Sequence, residues 1–315
     1  MIKELSVKVL IFGSNGLVGS SLLRVLKKNP DFNLFEGNRS LVNLFNFEQT
    51  QNYIKQINPD VVINAAAKVG GIYANNSLRV DFILENLKIN MNILESCIFN
   101  NNIKIINLGS SCIYPLNSSN PISEDSIMNG KLEPTNSPYA MAKLTAIEIG
   151  NSLSIQYGHK IINLMPTNLY GPNDNFHPLN SHVIPGLINR IHIAKINNEK
   201  SVSIWGDGTP LREFLYVDDL AFAIQHIISN SIEENLINIG SSQEISIKNL
   251  AKILCEVIKF KGNIIFDHSK PNGNPKKLLD SNLINKYGWK PKIKLEEGLK
   301  LTYDWYLKNQ AKLRD

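Results

Sequence analysis

The chain has 315 residues, of which 43% are hydrophobic and 19% charged, with a formal net charge of +5. That length exceeds one usual core and predicts a large unit with a smaller lobe. The lysines are scattered with no basic run longer than two, which excludes nucleic acid as the expected partner and favours a small anionic molecule.

Residues 7 to 12 (VKVLIF) read as a strand buried on both faces, and GSNGLVG with a helical pattern follows at once. Strand, glycines and helix in that order suit a dinucleotide. Gly13 permits the tight turn, Gly16 lets the backbone approach a pyrophosphate, and Gly19 lets the helix pack close with its amino end toward the phosphates. Taken alone the three glycines also suit a plain strand-to-helix turn. A second strand at about 32 to 35 ends in Glu36, Gly37, Asn38 and Arg39. A carboxylate here would take the ribose hydroxyls of NAD(H), and an arginine the extra phosphate of NADP(H), unless Arg39 is a solvated surface charge.

NPDVVINAAAKVGGI gives a further buried strand at 61 to 65, then small residues beginning at Ala65 that let a cofactor lie against the backbone or simply pack. Helical spacing covers 82 to 100, with Cys97 as a core residue. The run IKIINLG predicts a strand with Ser110 and Ser111 at its carboxyl edge, able to offer hydroxyls to a carbonyl oxygen. Cys112 follows, a thiol able to carry protons near a cation. Tyr139 and Lys143 are four apart, so on a helix they share one face. An ammonium beside a phenol is expected to pull the phenol's pKa below its usual value of about 10 and make it a usable acid. The helix runs to about Tyr157, and KIINLMPTNLYGP supplies another strand and turn.

From about Gly171 the alternation breaks. His177 and His182 stand beside a helix carrying Arg190, while Trp205 and Arg212 fall in a segment read as turn-rich. Such mixtures suit a ligand site, although a helix-start histidine, a core tryptophan and a structural ion pair account for them equally. Amphipathic helices are expected at 218 to 230, 245 to 260 and in LEEGLKLTYDWYLKNQ. The predicted fold is α/β, a Rossmann-type doubly wound parallel sheet over 1–170 with a return segment at about 214–240, and a smaller substrate-binding lobe in 171–315. Cysteines at 97, 112 and 255 have no metal spacing, so neither metal nor disulfide is expected. No stretch reaches about 18 apolar residues and MIKELSVKVLIFG lacks a leader's cleavage region, which predicts no membrane partner and a cytoplasmic protein.

With GSNGLVG, NAAAKVGGIYANN, LGSSCIYP, LEPTNSPYAMAK, MPTNLYGPNDNFHPLNSHVIP, WGDGTPLREFLYVDD and FDHSKPNGNPKKLLD in view, the chain resembles the extended short-chain dehydrogenase/reductase family over nearly its whole length. Within that family it is similar to the branch acting on GDP-4-keto-6-deoxy sugars. The resemblance implies that Ser110, Tyr139 and Lys143 carry reduction and that Cys112 and His182 are base and acid of an epimerisation. It implies that the cofactor, NADP(H) or else NAD(H), lies along Gly13, Ser14, Asn15, Gly16, Leu17, Val18, Gly19, Arg39 and Ala65. Its other wall would be Leu108, Gly109, Ser110, Ser111, Lys143, His182 and the stretch Pro166, Thr167, Asn168, Leu169. Arg190, Trp205, Arg212 and Lys277 would hold the GDP-sugar. The branch also implies a homodimer formed by the two long helices at 82 to 100 and 139 to 155. The chain departs from the family pattern at Asn15, at Leu78, Arg79 and Val80, and at Asn272. Two activities follow: a 3,5-epimerase/4-reductase of a GDP-4-keto-6-deoxy sugar, or a C4 reductase alone on a relative such as a GDP-4-keto-6-deoxy-heptose.

Overall fold

β1 (Val7–Phe12) has no polar side to turn to water, and its last four residues are completely buried. A strand with that pattern must be covered on both faces by helices. The computed structural model describes residues 6–269 and 272–313. Residues 1–5, where the absence of a leader was read, and residues 270 and 271 of the FDHSKPNGNPKKLLD motif lie outside the described residues.

After β1 come α1 (Leu17–Leu26), β2 (Phe32–Gly37), α2 (Phe47–Ile57), β3 (Val61–Asn64), α3 (Ile72–Ser77), α4 (Arg79–Ser96), β4 (Lys104–Leu108), α5 (Ser137–Tyr157) and β5 (Ile161–Pro166). The chain continues with β6 (Asn168–Tyr170), α6 (Val183–Ile196), β7 (Ser201–Trp205), β8 (Leu211–Tyr216), α7 (Val217–Ser229) and β9 (Leu236–Ile239). It ends with β10 (Glu244–Ser246), α8 (Ile247–Ile258), β11 (Asn263–Asp267), β12 (Lys276–Lys277), α9 (Asn282–Lys286) and α10 (Leu295–Asn309).

Six parallel strands form one sheet in the order β2-β1-β3-β4-β5-β9. α1 and α7 cover one face through Leu22, Val25, Leu220 and Ile224, and α2, α4 and α5 cover the other through Ile54, Ile93, Leu94 and Leu153. Each of these buried aliphatic side chains contributes roughly 2 kcal/mol relative to exposure. The strand order reverses between β1 and β3, which opens a crevice outside their carboxyl ends. Buried amides stiffen the sheet beneath that edge. Asn64, Asn107 and Asn163 are register partners on β3, β4 and β5 and are hydrogen-bonded at 3.1 and 3.0 Å. The row is closed by Asn90 at 2.8 Å and by the carbonyl of Asn235 at 3.1 Å, with the Asn90 amide nitrogen left without a partner among the described residues.

The second core gathers Leu187 and Ile188 of α6, Leu250 and Leu254 of α8, and Leu299 and Tyr306 of α10. β8 is its organising strand, pairing with β6, β10 and β12, while β11 pairs with β7. The placement of Trp205 and Arg212 in turns is therefore corrected: Trp205 ends β7 and Arg212 lies on β8. Their strand partners are distant in the chain, and only the short stretch between them, with Gly206 and Gly208 both at φ +79°, is a turn. α4 begins at Arg79, earlier than the 82 expected, and β3 stops at Asn64, leaving Ala65 just beyond the strand.

Candidate active site

The crevice is shaped by glycines whose neighbours are backbone. A Cβ on Gly19 would sit 2.1 Å from the carbonyl oxygen of Gly13, and one on Gly13, at φ +77°, would sit 2.7 Å from that of Ala65. α1 starts at Leu17 behind Gly16, with no side chain capping it. Its first-turn N–H groups lack intrahelical acceptors and carry the positive end of the helix dipole, a donor set that fits a pyrophosphate. Ser14 is buried and its hydroxyl donates to the Glu36 carboxylate at 3.2 Å. Asn15 is exposed. Arg39 is exposed and makes no ion pair among the described residues, so a phosphate could take its guanidinium without displacing a protein partner. Leu108, Gly109, Ser111, Pro166 and Thr167 are buried along the same edge, with Asn168 and Leu169 partly exposed. The Thr167 hydroxyl and Asn168 amide both donate to the carbonyl of Glu213, at 3.2 and 2.8 Å, tying this edge to β8.

α5 carries Pro138 in its first turn, where a missing N–H costs no helix bond, and Tyr139 and Lys143 follow on one face. Lys143 is 2% exposed and its ammonium donates to the carbonyl of Leu108 at 2.6 Å. Its nitrogen is 5.8 Å from the centre of the Tyr139 ring. Ser110 is hydrogen-bonded to the Tyr139 hydroxyl, and its own oxygen accepts from the N–H of Cys112 at 3.2 Å. Phe82 of α4 packs edge-on against the Tyr139 ring. The expected fall in the Tyr139 pKa is corrected. Burial, then the neighbouring Cys112 thiolate, push it up, with the Ser110 hydrogen bond opposing them. The ammonium is spent on Leu108, and burial brings Lys143 itself down to about 8. Tyr139 thus stands as a fully protonated donor.

In the C-terminal half of the chain, His177 binds its own loop, its Nδ1 accepting from the N–H groups of Leu179 and Asn180 at 3.1 and 3.2 Å. Asn180 in turn accepts from the N–H of Gly71 at 3.0 Å, which pins the loop to the first half of the chain. His182 follows as the N-cap residue of α6. His182 is exposed and its imidazole makes no hydrogen bond among the described residues, while desolvation by the surrounding groups holds its pKa below the usual value. Arg190 lies with its guanidinium carbon 5.5 Å from the Trp205 ring and donates to the carbonyl of Ser203 at 3.3 Å. Its Nε is buried with no partner among the described residues. Arg212 donates to the carbonyl of Leu211 at 2.8 Å, and its charge interacts with the thiolate form of Cys112. Lys277 is the register partner of Arg212 across β12 and β8.

The structure thus joins Ser110, Cys112, Tyr139 and Arg212 in one group and Arg190 with Trp205 in another. His182 has no direct bond to either. Asn136 went unnoticed in the sequence: its amide donates to the Cys112 sulfur at 3.7 Å. The Asn-Ser-Pro order that opens α5 marks a helix start, but nothing local says which way the asparagine turns.

Residues 9–240 match the NAD dependent epimerase/dehydratase family. GDP-L-fucose synthase 1 of Arabidopsis thaliana is 46% identical over 304 residues, covering 96% of this chain and 94% of its own. A GDP-L-fucose synthetase from Naegleria fowleri solved with NADP bound superposes with a TM-score of 0.88 at 28% identity, covering 100% of this chain and 98% of that one. A GDP-mannoheptose C4 reductase from Campylobacter jejuni, also with NADP bound, gives 0.85 at 33% identity, covering 96% and 99%. The glycine-shaped crevice, the Tyr139 and Lys143 helix and this full-length likeness agree, and the chain belongs to the NAD dependent epimerase/dehydratase family.

Proposed function

We propose that the protein is an NADPH-dependent 3,5-epimerase/4-reductase of a GDP-4-keto-6-deoxy sugar, a GDP-L-fucose synthase activity. The observation that carries this reading is the grouping of Cys112, Ser110 and Tyr139 at the amino end of α5, a thiol and a phenol within reach of one ketone. The 46% identity to the Arabidopsis synthase, against 33% to the heptose reductase, favours the hexose and both reactions.

A ketone at carbon 4 acidifies the protons on carbons 3 and 5. Cys112, as thiolate, removes such a proton, and His182, as imidazolium, returns one from the opposite face, so each centre passes through an enediolate. Ser110 and Tyr139 donate hydrogen bonds to the developing oxyanion. NADPH, when bound, supplies the hydride that reduces carbon 4. Tyr139 gives its phenolic proton to the oxygen at that moment, and Lys143 holds the floor of the crevice through Leu108. The α1 amino end would hold the pyrophosphate and Arg39 the 2′-phosphate, Glu36 being already engaged by Ser14. Arg190, Arg212 and Lys277 neutralise the GDP diphosphate while Trp205 supports Arg190.

The protein acts as a cytoplasmic homodimer through α4 and α5. Val80, Leu84 and Met141 stand 65%, 47% and 46% exposed there, an apolar face that a second copy would cover. Among the described residues no helix is long and apolar enough to cross a membrane.

Incubating the protein with GDP-4-keto-6-deoxy-mannose and NADPH in heavy water tests the reading. The expected product carries deuterium at carbons 3 and 5, with NADPH consumed in proportion. NADPH oxidation without deuterium at either carbon would mean reduction alone. Replacing Cys112 should abolish exchange and leave reduction of an already epimerised ketone intact.

A further inference from the structure

Asparagine is among the best residues for closing the amino end of a helix, because its side-chain oxygen reaches back to a free backbone N–H. Asn136 occupies that position on α5 and does not do so: the helix has no side-chain cap. Its amide nitrogen instead points at Cys112, 3.7 Å from the sulfur. The turn before it is held by other means. Glu133 accepts from the backbone N–H groups of Thr135 and Asn136, each at 3.1 Å, and from the Thr135 hydroxyl at 2.6 Å. Arg79 of α4 clamps the same turn from outside, donating to the carbonyl of Pro134 at 2.9 Å and to the Ser137 hydroxyl at 3.2 Å. With the turn fixed by Glu133 and Arg79, Asn136 is released from capping and held against the thiol.

We propose that Asn136 is a positioning residue for Cys112: it donates a hydrogen bond to the sulfur, favours the thiolate and aims it at the substrate. This rests on the reading of Cys112 as the epimerisation base. Two positive features then bear on one sulfur, namely the Asn136 amide and the guanidinium of Arg212. Ser110 fixes the backbone of the same residue by accepting from the Cys112 N–H. The side-chain oxygen of Asn136 is buried without a partner among the described residues, so the amide's engagement is through its nitrogen, on the sulfur.

The test uses Asn136→Asp and Asn136→Ala in the full-length protein. Aspartate keeps the shape and is a competent helix cap, but its carboxylate donates nothing and places negative charge beside the sulfur. Cys112 is titrated by iodoacetamide alkylation across pH 6 to 10, with Cys112→Ser as the blank for Cys97 and Cys255. We expect alkylation of Cys112 at pH 7 to slow about tenfold in Asn136→Ala and further in Asn136→Asp, following the loss of one hydrogen bond to a charged group. Deuterium exchange should slow in parallel, with reduction of the epimerised ketone unchanged. An alkylation profile identical to wild type in a folded Asn136→Asp protein would overturn the proposal. Because alkylation needs no substrate, a wild-type protein that exchanges no deuterium would refute the epimerase reading while leaving the link between Asn136 and Cys112 tested in its own right.

Discussion

Lys143 places its ammonium 2.6 Å from the carbonyl oxygen of Leu108, and thereby braces the helix that carries Tyr139 against the strand that ends at Leu108. A lysine only 2% exposed, with one neutral acceptor among the described residues, is a charge poorly compensated. Burial accordingly brings its pKa from 10.5 to about 8.

The consequence is a signature in stability. Between about pH 8 and 10.5 the unfolded chain holds a proton on Lys143 that the folded protein has released, so stability rises with pH across that window. Below it the cost of the buried charge is present in full. Lys143→Met has no such group, so the stability of wild type relative to the variant should improve from pH 7.5 to 10.5, by up to about 3 kcal/mol. Urea unfolding of both proteins at the two pH values measures this. A difference that stays flat would show that the lysine is not held low.

Removing the phenol separates the two halves of the proposed reaction. Tyr139→Phe keeps the ring against Phe82 and deletes only the hydroxyl bonded to Ser110. Exchange of the carbon-bound protons should survive, while NADPH-dependent reduction falls by about 10²- to 10⁴-fold, the usual worth of one positioned acid. NADPH absorbance follows one and NMR the other. Full reductase activity would dismiss Tyr139 as the proton donor.

Arg190 carries a buried Nε with no partner among the described residues and lies against the Trp205 ring at 5.5 Å, a planar cation held ready for a planar or divalent anion. Lysine cannot reproduce that fork. Arg190→Lys should weaken GDP binding about tenfold, and Trp205→Ala a few-fold, consistent with about 1 kcal/mol for the ring contact. Calorimetry with GDP reads both, and NADPH affinity should not move. A loss of NADPH affinity of the same size would place these residues elsewhere.

The parts of the site visible in the sequence are those that act within a few residues. The glycine turn occupies seven consecutive positions, and Tyr139 with Lys143 are one helical turn apart, so local periodicity suffices to find them. The parallel sheet was equally legible from its alternating strands and helices. What stayed hidden depends on segments that meet only in the fold. The amide of Asn136 reaches Cys112, 24 residues away, and β8 owes its existence to partners in β6, β10 and β12. The Tyr139 pKa went the other way because burial raises it, while the lysine is turned to a carbonyl that spacing alone does not reveal.

The two glycines of the first turn should fail differently when given the same methyl group. On Gly19 the added carbon would lie 2.1 Å from the Gly13 carbonyl, which is backbone and cannot swing aside, so α1 must lift from β1. On Gly16 it would lie 3.3 Å from that same oxygen, a contact relieved by a shift of a few tenths of an ångström. Gly19→Ala should therefore lose stability by more than about 2 kcal/mol and bind cofactor poorly because the helix end has moved. Gly16→Ala should melt close to wild type and yet bind NADPH at least about tenfold more weakly, since the methyl group stands where a pyrophosphate would meet the backbone. Thermal melts and fluorescence titration with NADPH distinguish the pair. A Gly16→Ala protein with wild-type affinity would remove the α1 amino end from the cofactor site.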